Sequence, residues 1–260
     1  MTVIRRFYSS ALLFPLLLSS LAFAEPEAGE VRNFGATPFV WCPPGSFTPG
    51  TEDGEQITQG HPSWFSDETN SRNVDIQEGF WISQHEITRK LWEETMGNSP
   101  WTAWDPEGAP TLPATGISQE ACVEFAERLS STLQVRCALP SEEEWEYACR
   151  AGESYDNTSA EDPGDRAWYR WNSGGGMLHP VGQKKANAWG IHDMLGNAWE
   201  WTASLYTPPH QTGSVSIKSF GVIRGGSALS TSEFTRCTVR NSHNLHSGAP
   251  MLGFRVIIVE

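Results

Sequence analysis

Basic residues are scarce in this chain: 18 Lys and Arg face 31 Asp and Glu, a formal charge of −13. That balance argues against nucleic acid or anionic lipid as a partner, since both select cationic surfaces. No CxxC pair occurs, which disfavours a zinc ribbon. After position 24 no apolar run is long enough to span a bilayer, so no membrane anchor is expected in the mature chain. Helical periodicity is sparse, no internal repeat is visible, and no linker separates two cores.

The first 24 residues differ from the rest. Arg5 and Arg6 precede the apolar stretch SSALLFPLLLSSLAFA, which Pro15 interrupts and Ala22-Phe23-Ala24 closes as a small-x-small cleavage signal. Residues 1–24 therefore read as a secretory signal peptide. Cleavage near Ala24 starts the mature chain at Glu25 and makes the protein periplasmic or secreted. No cysteine follows the cleavage point, so no lipoprotein anchor is expected. Losing both arginines takes the charge from −13 to −15. Such a balance suits a solvated acidic exterior and also cation binding. Five cysteines remain: Cys42, Cys122, Cys137, Cys149 and Cys237. In an exported protein they favour disulfides, and an odd count leaves at least one free or paired with another chain.

Three helices are legible. In Thr88 to Met96, Leu91, Trp92 and Met96 share a face and Gly97 stops the run. Ser118 caps a second helix ending at Leu133, with Cys122, Phe125, Ala126 and Leu129 along one stripe. Pro140-Ser141 opens a third, where Ser141 and Glu144 form a capping box and Gly152 terminates. GFWISQHEI and GFRVIIVE read as strands. The remainder is rich in Gly, Pro, Ser and Asn yet holds most of the 12 tryptophans, so long loops must themselves be packed and stapled. The expectation is one compact α+β domain over residues 36–259, preceded by a flexible segment, 25–35.

GIHDMLGNAWEW, residues 190–201, sets Asp193 and Glu200 among tryptophans, although a carboxylate resists burial unless it is paired or holds a cation. On spacing alone the plainer reading has Asp193 capping a turn and Glu200 in solvent. Wider context changes the reading. FVWCPPGSFTPG (39–50), GFWISQHEIT (79–88), LPSEEEWEYACRAG (139–152), HPVGQKKANAWGIHDMLGNAWEW (179–201), VIRGGSALS (222–230) and LGFRVI (252–257) occur in this order. Together they resemble the formylglycine-generating enzyme (sulfatase-modifying factor) family over nearly the whole mature chain. The resemblance implies a single irregular, loop-rich domain of C-type-lectin-like topology. It also implies a calcium ion held by the Asp193 and Glu200 side chains and the carbonyls of Gly196 and Ala198. Calcium takes six to eight hard oxygen ligands of just these kinds. The family's second calcium segment is compressed here to NSGGGMLH, and only Asn172 has a counterpart, so that site is not expected.

The same resemblance implies copper-dependent oxidation of a sulfatase cysteine, chemistry that needs two thiolates to hold soft Cu(I). Here the first copper-cysteine position falls on Ser230. The second falls in the shortened stretch near Thr231 to Phe234, which holds no cysteine. No copper is expected. Cys149 and Cys237 match structural cysteines of the family, but the usual partner of Cys149 is replaced by Val256. A Cys149–Cys237 bridge and a free thiol at Cys237 both remain open. Trp199 and Ser227 match positions lining the oxidase cleft, where Ser230 also falls. Arg236 and Arg240 flank the same strand and are expected to order loops. His243 and His246 offer a second route, a two-His-one-carboxylate iron site. His61, His85, His179, His192 and His210 are scattered along the chain.

Two functional readings follow. One is an exported, calcium-stabilised binding or accessory protein acting on a protein or peptide client. The alternative is an oxidoreductase of the same family with an atypical site, acting on sulfatases or in siderophore maturation.

Overall fold

The computed structural model describes residues 25–51, 68, 72–101, 109–153, 163–207 and 219–259. The signal-peptide assignment, His61 and His210 lie outside the described residues. In chain order the elements are β1 (Val31–Phe34), β2 (Thr37–Cys42), β3 (Gly45–Phe47), β4 (Val74–Ile76), β5 (Phe80–Ser83), α1 (Arg89–Met96), α2 (Gln119–Leu133), β6 (Arg136–Ala138), α3 (Glu142–Arg150), β7 (Trp199–Leu205), β8 (Phe220–Arg224), β9 (Arg240–Asn244), β10 (Leu252–Phe254) and β11 (Ile257–Val259).

An antiparallel five-stranded sheet runs β1-β2-β5-β11-β6, a four-stranded sheet runs β10-β7-β8-β9, and β3 pairs with β4. Alternation along each strand of the larger sheet explains why it is buried on both faces. Phe39, Trp41, Trp81 and Ile258 enter one core with Trp92, Phe125, Trp201 and Phe254. Val40, Cys42, Phe80, Ile82 and Ile257 enter the other with Trp145, Tyr147, Trp189 and Met194. Such strands read as continuous apolar runs.

The caps match the helical signals. Thr88 and Ser118 accept from the backbone N–H of Leu91 and Ala121, and Ser141 and Glu144 form a reciprocal capping box. Helix α3 ends one residue earlier than expected, at Ala151 in the left-handed region. Two further expectations are corrected. Segment 25–35 carries β1, whose four residues pair with β2, because Gly35 at φ +62° allows the tight reversal between them. The C-terminal apolar run is two strands in different sheets. It is split at Arg255, whose side chain turns into the interior.

A buried ion network ties α3 to the smaller sheet. Glu146 accepts from Arg150 at 2.8 Å and also pairs with Arg224, while Glu142 takes both η and ε nitrogens of Arg240 at 2.7 and 2.8 Å. Arg236 makes a two-point pair with Glu68 at 2.8 and 2.9 Å. Arg236 orders loop residues as expected, whereas Arg240 ties β9 to the first turn of α3. Beside this network Cys149 and Cys237 form a disulfide, closing the alternative of a free thiol at Cys237.

Candidate functional site

The loop between residues 190 and 200 folds through three left-handed residues: Asp193 at φ +55°, Gly196 at +74° and Asn197 at +56°. Gly196 is required twice over, since a Cβ there would lie 2.2 Å from the Trp168 carbonyl oxygen. This geometry aims polar groups inward. Asp193 accepts from the Gly182 N–H at 2.6 Å, and neither it nor Glu200 is in solvent. Glu200 is fully buried. Its carboxylate takes two hydrogen bonds from Arg255 at 2.7 Å each and a third from the Trp145 indole at 2.6 Å.

A third acid enters from the connection between β5 and α1. Glu86 accepts from the Asn197 side chain at 2.7 Å and from the Ala198 N–H at 3.0 Å. Burial pushes its carboxyl well above the usual carboxylate range, and the nearby Asp193 and Glu200 push it further. Burial raises Asp193 as well. Glu86, Asp193 and Glu200 thus share a single buried guanidinium, that of Arg255, and a divalent cation would offset the surplus negative charge.

The calcium donor set can be tested against these contacts. Among the described residues no three His, Cys, Asp or Glu side chains converge as a metal-ligating group. A cation in this loop must therefore draw on backbone carbonyls, as the Asp193, Gly196, Ala198 and Glu200 set does. Asp193 retains one carboxylate oxygen beyond its bond to Gly182, whereas Glu200 already serves Arg255 and Trp145. Of the two side chains, Asp193 is the one with an oxygen left over for a cation. Glu86 and Arg255 were not singled out from the sequence, although both lie inside quoted motifs, GFWISQHEIT and LGFRVI. Their signal was a charged residue within an apolar run.

The loop is stitched to the turn that holds the cleft positions. Gly196 N–H donates to the Gly225 carbonyl and Ala228 N–H donates to Asn197. In that turn the Ser227 and Ser230 hydroxyls lie 3.2 Å apart, and Ser230 Oγ accepts from the Ser227 N–H at 2.9 Å. Trp199 is half-buried against the first core. Thr231 to Phe234 leads into a short 3-10 turn. Cys42, Cys122 and Cys137 are free but buried in β2, α2 and β6, and burial pushes all three thiols up, which keeps them protonated.

Among the described residues, His243 and His246 do not converge with a carboxylate into the iron site considered above. His243 lies against Trp201 and Ser247, while His246 pairs with Glu120 at 2.8 Å on the surface. His179 stacks on Trp168 at 3.7 Å, and His85 stacks on His192 at 5.1 Å. Burial lowers His85 to about 4, assisted by the His192 and Arg255 charges. The unfolded chain binds this proton near 6.5. His85 therefore contributes stability that is complete above pH 6.5 and lost as pH falls toward 4. His85→Gln should flatten that acid limb of a denaturant-stability profile; an unchanged slope would assign the limb to other groups.

Comparison with known proteins identifies the family. Residues 24–259 match the sulfatase-modifying factor enzyme 1-like domain, and the chain belongs to that family. Its loop-rich α+β domain has the C-type-lectin-like topology of formylglycine-generating enzymes. Among relatives, it is 24% identical to "Chaperone protein LppX" of Paenibacillus barcinonensis, over 72% of this chain and 82% of that protein. It is 30% identical to the formylglycine-generating enzyme of Mycobacterium tuberculosis, over 46% of this chain and 50% of that enzyme. The chain thus spans half the length of that enzyme. The solved structure of PvdO from Pseudomonas aeruginosa superposes with a TM-score of 0.74 at 25% identity, covering 90% of this chain and all of PvdO (100%).

Proposed function

We propose that this protein is an exported, calcium-stabilised member of the family that binds a protein or peptide client rather than oxidising it. One observation carries the reading: the position of the first copper cysteine is Ser230, whose hydroxyl is engaged with Ser227. A serine hydroxyl stays protonated at neutral pH and is a poor ligand for soft Cu(I). No other thiol substitutes for it, since Cys237 is bonded to Cys149 and the three free cysteines are buried and protonated. The relative named a chaperone is consistent with a binding role. Export rests on the N-terminal sequence.

Metal analysis of protein purified from its native compartment tests the reading. Calcium and no stoichiometric copper or iron is the expected result. A redox metal near one per chain would sink it and favour the oxidoreductase alternative, to which the likeness to the formylglycine-generating enzyme lends weight.

Calcium would be held by Asp193 and the carbonyls of Gly196 and Ala198, with Glu200 contributing its remaining lone pair. A ligand bound only by the folded state stabilises it, by about 2.7 kcal/mol at a hundredfold excess over Kd. Chelator should therefore lower the melting temperature of the wild type. Asp193→Asn keeps an acceptor for Gly182 but removes the charge, so it should melt lower and respond little to chelator. A full chelator response in that variant would remove Asp193 from the ligand set.

A further inference from the structure

Three large apolar side chains are left in solvent on two touching loops: Trp171 is 71% exposed, Met177 60% and Leu229 53%. Leu229 meets the loop beside Met177, and Trp171 stands on the same 170–177 loop. Leu229 lies directly on Gly176, where an added Cβ would meet its Cδ2 at 2.1 Å, and Met177 folds back to within 2.9 Å of a Cβ on Gly174. The backbone beneath is pinned. Ser173 Oγ donates to the Ala228 carbonyl at 2.8 Å, and Arg170 N–H donates to the Ser230 carbonyl at 2.9 Å. Burial of these side chains is thus forgone on a framework already ordered, which lowers the entropic cost of covering them later. A contiguous exposed apolar patch with a polar rim marks an interaction site, and Trp, Met and Arg are enriched in such sites.

Charge narrows the occupant. Arg170 is the only Lys, Arg, Asp or Glu between residues 167 and 183, and none occurs between 225 and 232. Its guanidinium lies 5.6 Å from the Trp171 ring centroid and makes no ion pair with a described residue. A cation beside the exposed Trp171, on two loops that carry no acidic side chain, complements a carboxylate flanked by apolar side chains. The same net charge opposes a second copy of this chain and an anionic bilayer.

We infer that Trp171, Met177 and Leu229, with Arg170 at their edge, form a docking surface for a partner polypeptide segment that sets an apolar side chain beside an Asp or Glu. The inference rests on the reading of this protein as a binding module and specifies the client's chemistry. The segment covers the turn carrying Ser227 and Ser230, so docking closes the position that the oxidase would use for chemistry.

The test is to pan a displayed random dodecapeptide library against the purified mature chain, then measure one recovered peptide, fluorescently labelled, by anisotropy. Recovered sequences should pair apolar residues with Asp or Glu. Trp171→Ala and Arg170→Gln should each weaken the labelled peptide at least about tenfold, while Val123→Ala, exposed on α2, leaves it unchanged. No enrichment over an unrelated control protein overturns the inference, as does binding indifferent to Trp171→Ala. So would a concentration-dependent dimer, or binding to phosphatidylglycerol vesicles, that Trp171→Ala abolishes, since either assigns the surface to another occupant. Failed panning with calcium present and copper and iron absent discards this surface and leaves the binding-module reading. A stoichiometric redox metal discards that reading instead.

Discussion

Glu200→Ala should lower the melting temperature by about 6–20 °C, with or without chelator present. The reason is Arg255, fully buried, whose guanidinium donates to both Glu200 oxygens and whose remaining bonds go to the Ser83 and His192 carbonyls. Removing the carboxylate strands a buried cation and the Trp145 indole N–H together. Breaking a buried pair from one side costs about 3–5 kcal/mol, chiefly as the unpaired charge. In a domain of this size each kcal/mol is worth about 2–4 °C. Because the loss comes from the ion pair, it says little about calcium, which is why Asp193→Asn is the informative variant for the metal. Glu200→Leu combined with Arg255→Met, which removes both charges, should recover much of the loss. Thermal unfolding of the three variants decides the matter: a double variant no better than Glu200→Ala would mean that the pair supplies packing rather than charge compensation.

Loss of the Cys149–Cys237 bridge should be of similar size. The two cysteines are 88 residues apart in sequence. Loop-closure entropy for a ring of that length corresponds to about 4–5 kcal/mol, or about 10–20 °C. The bond joins the end of α3 to the chain just before β9, alongside the Glu146 and Glu68 ion pairs, so one linkage restrains both segments. Cys149→Ser with Cys237→Ser should melt lower by that amount, and reductant should then have no further effect. A reductant-sensitive double variant would show that another pairing forms among Cys42, Cys122 and Cys137, each buried in a separate element.

The two assays read different parts of the molecule. Glu200 and Arg255 join the start of β7 to the end of β10, whereas the disulfide and its flanking arginines join α3 to the segment after the Ser227 turn. Both restrain a domain in which long loops carry much of the packing. Cross-links and buried ion pairs do here what longer helices and strands do in more regular folds.

Helix ends and the C-terminal strand signal were legible in the residues, because each depends on neighbours close in sequence. Thr88, Ser118 and Ser141 cap through N–H groups three residues on, and Ser230 follows Ser227 by the same spacing. The role of Glu200 was not legible in this way. Spacing alone left it in solvent and the family resemblance made it a calcium ligand beside Asp193, yet folding brings Arg255 from 55 residues away onto it. It brings Glu86 from more than 100 residues away beneath the same loop. Long-range pairing of buried charge depends on which strands become neighbours, and β10 lies parallel to β7 only once the four-stranded sheet has formed. The exposed surface of Trp171, Met177 and Leu229 has the same origin, since an apolar residue shows whether it is core or interface only when the fold has chosen what to cover. Local order and family were thus written in the chain itself; the partners of its buried acids and the face it leaves open were decided by tertiary contact, because burial is a property of the whole molecule.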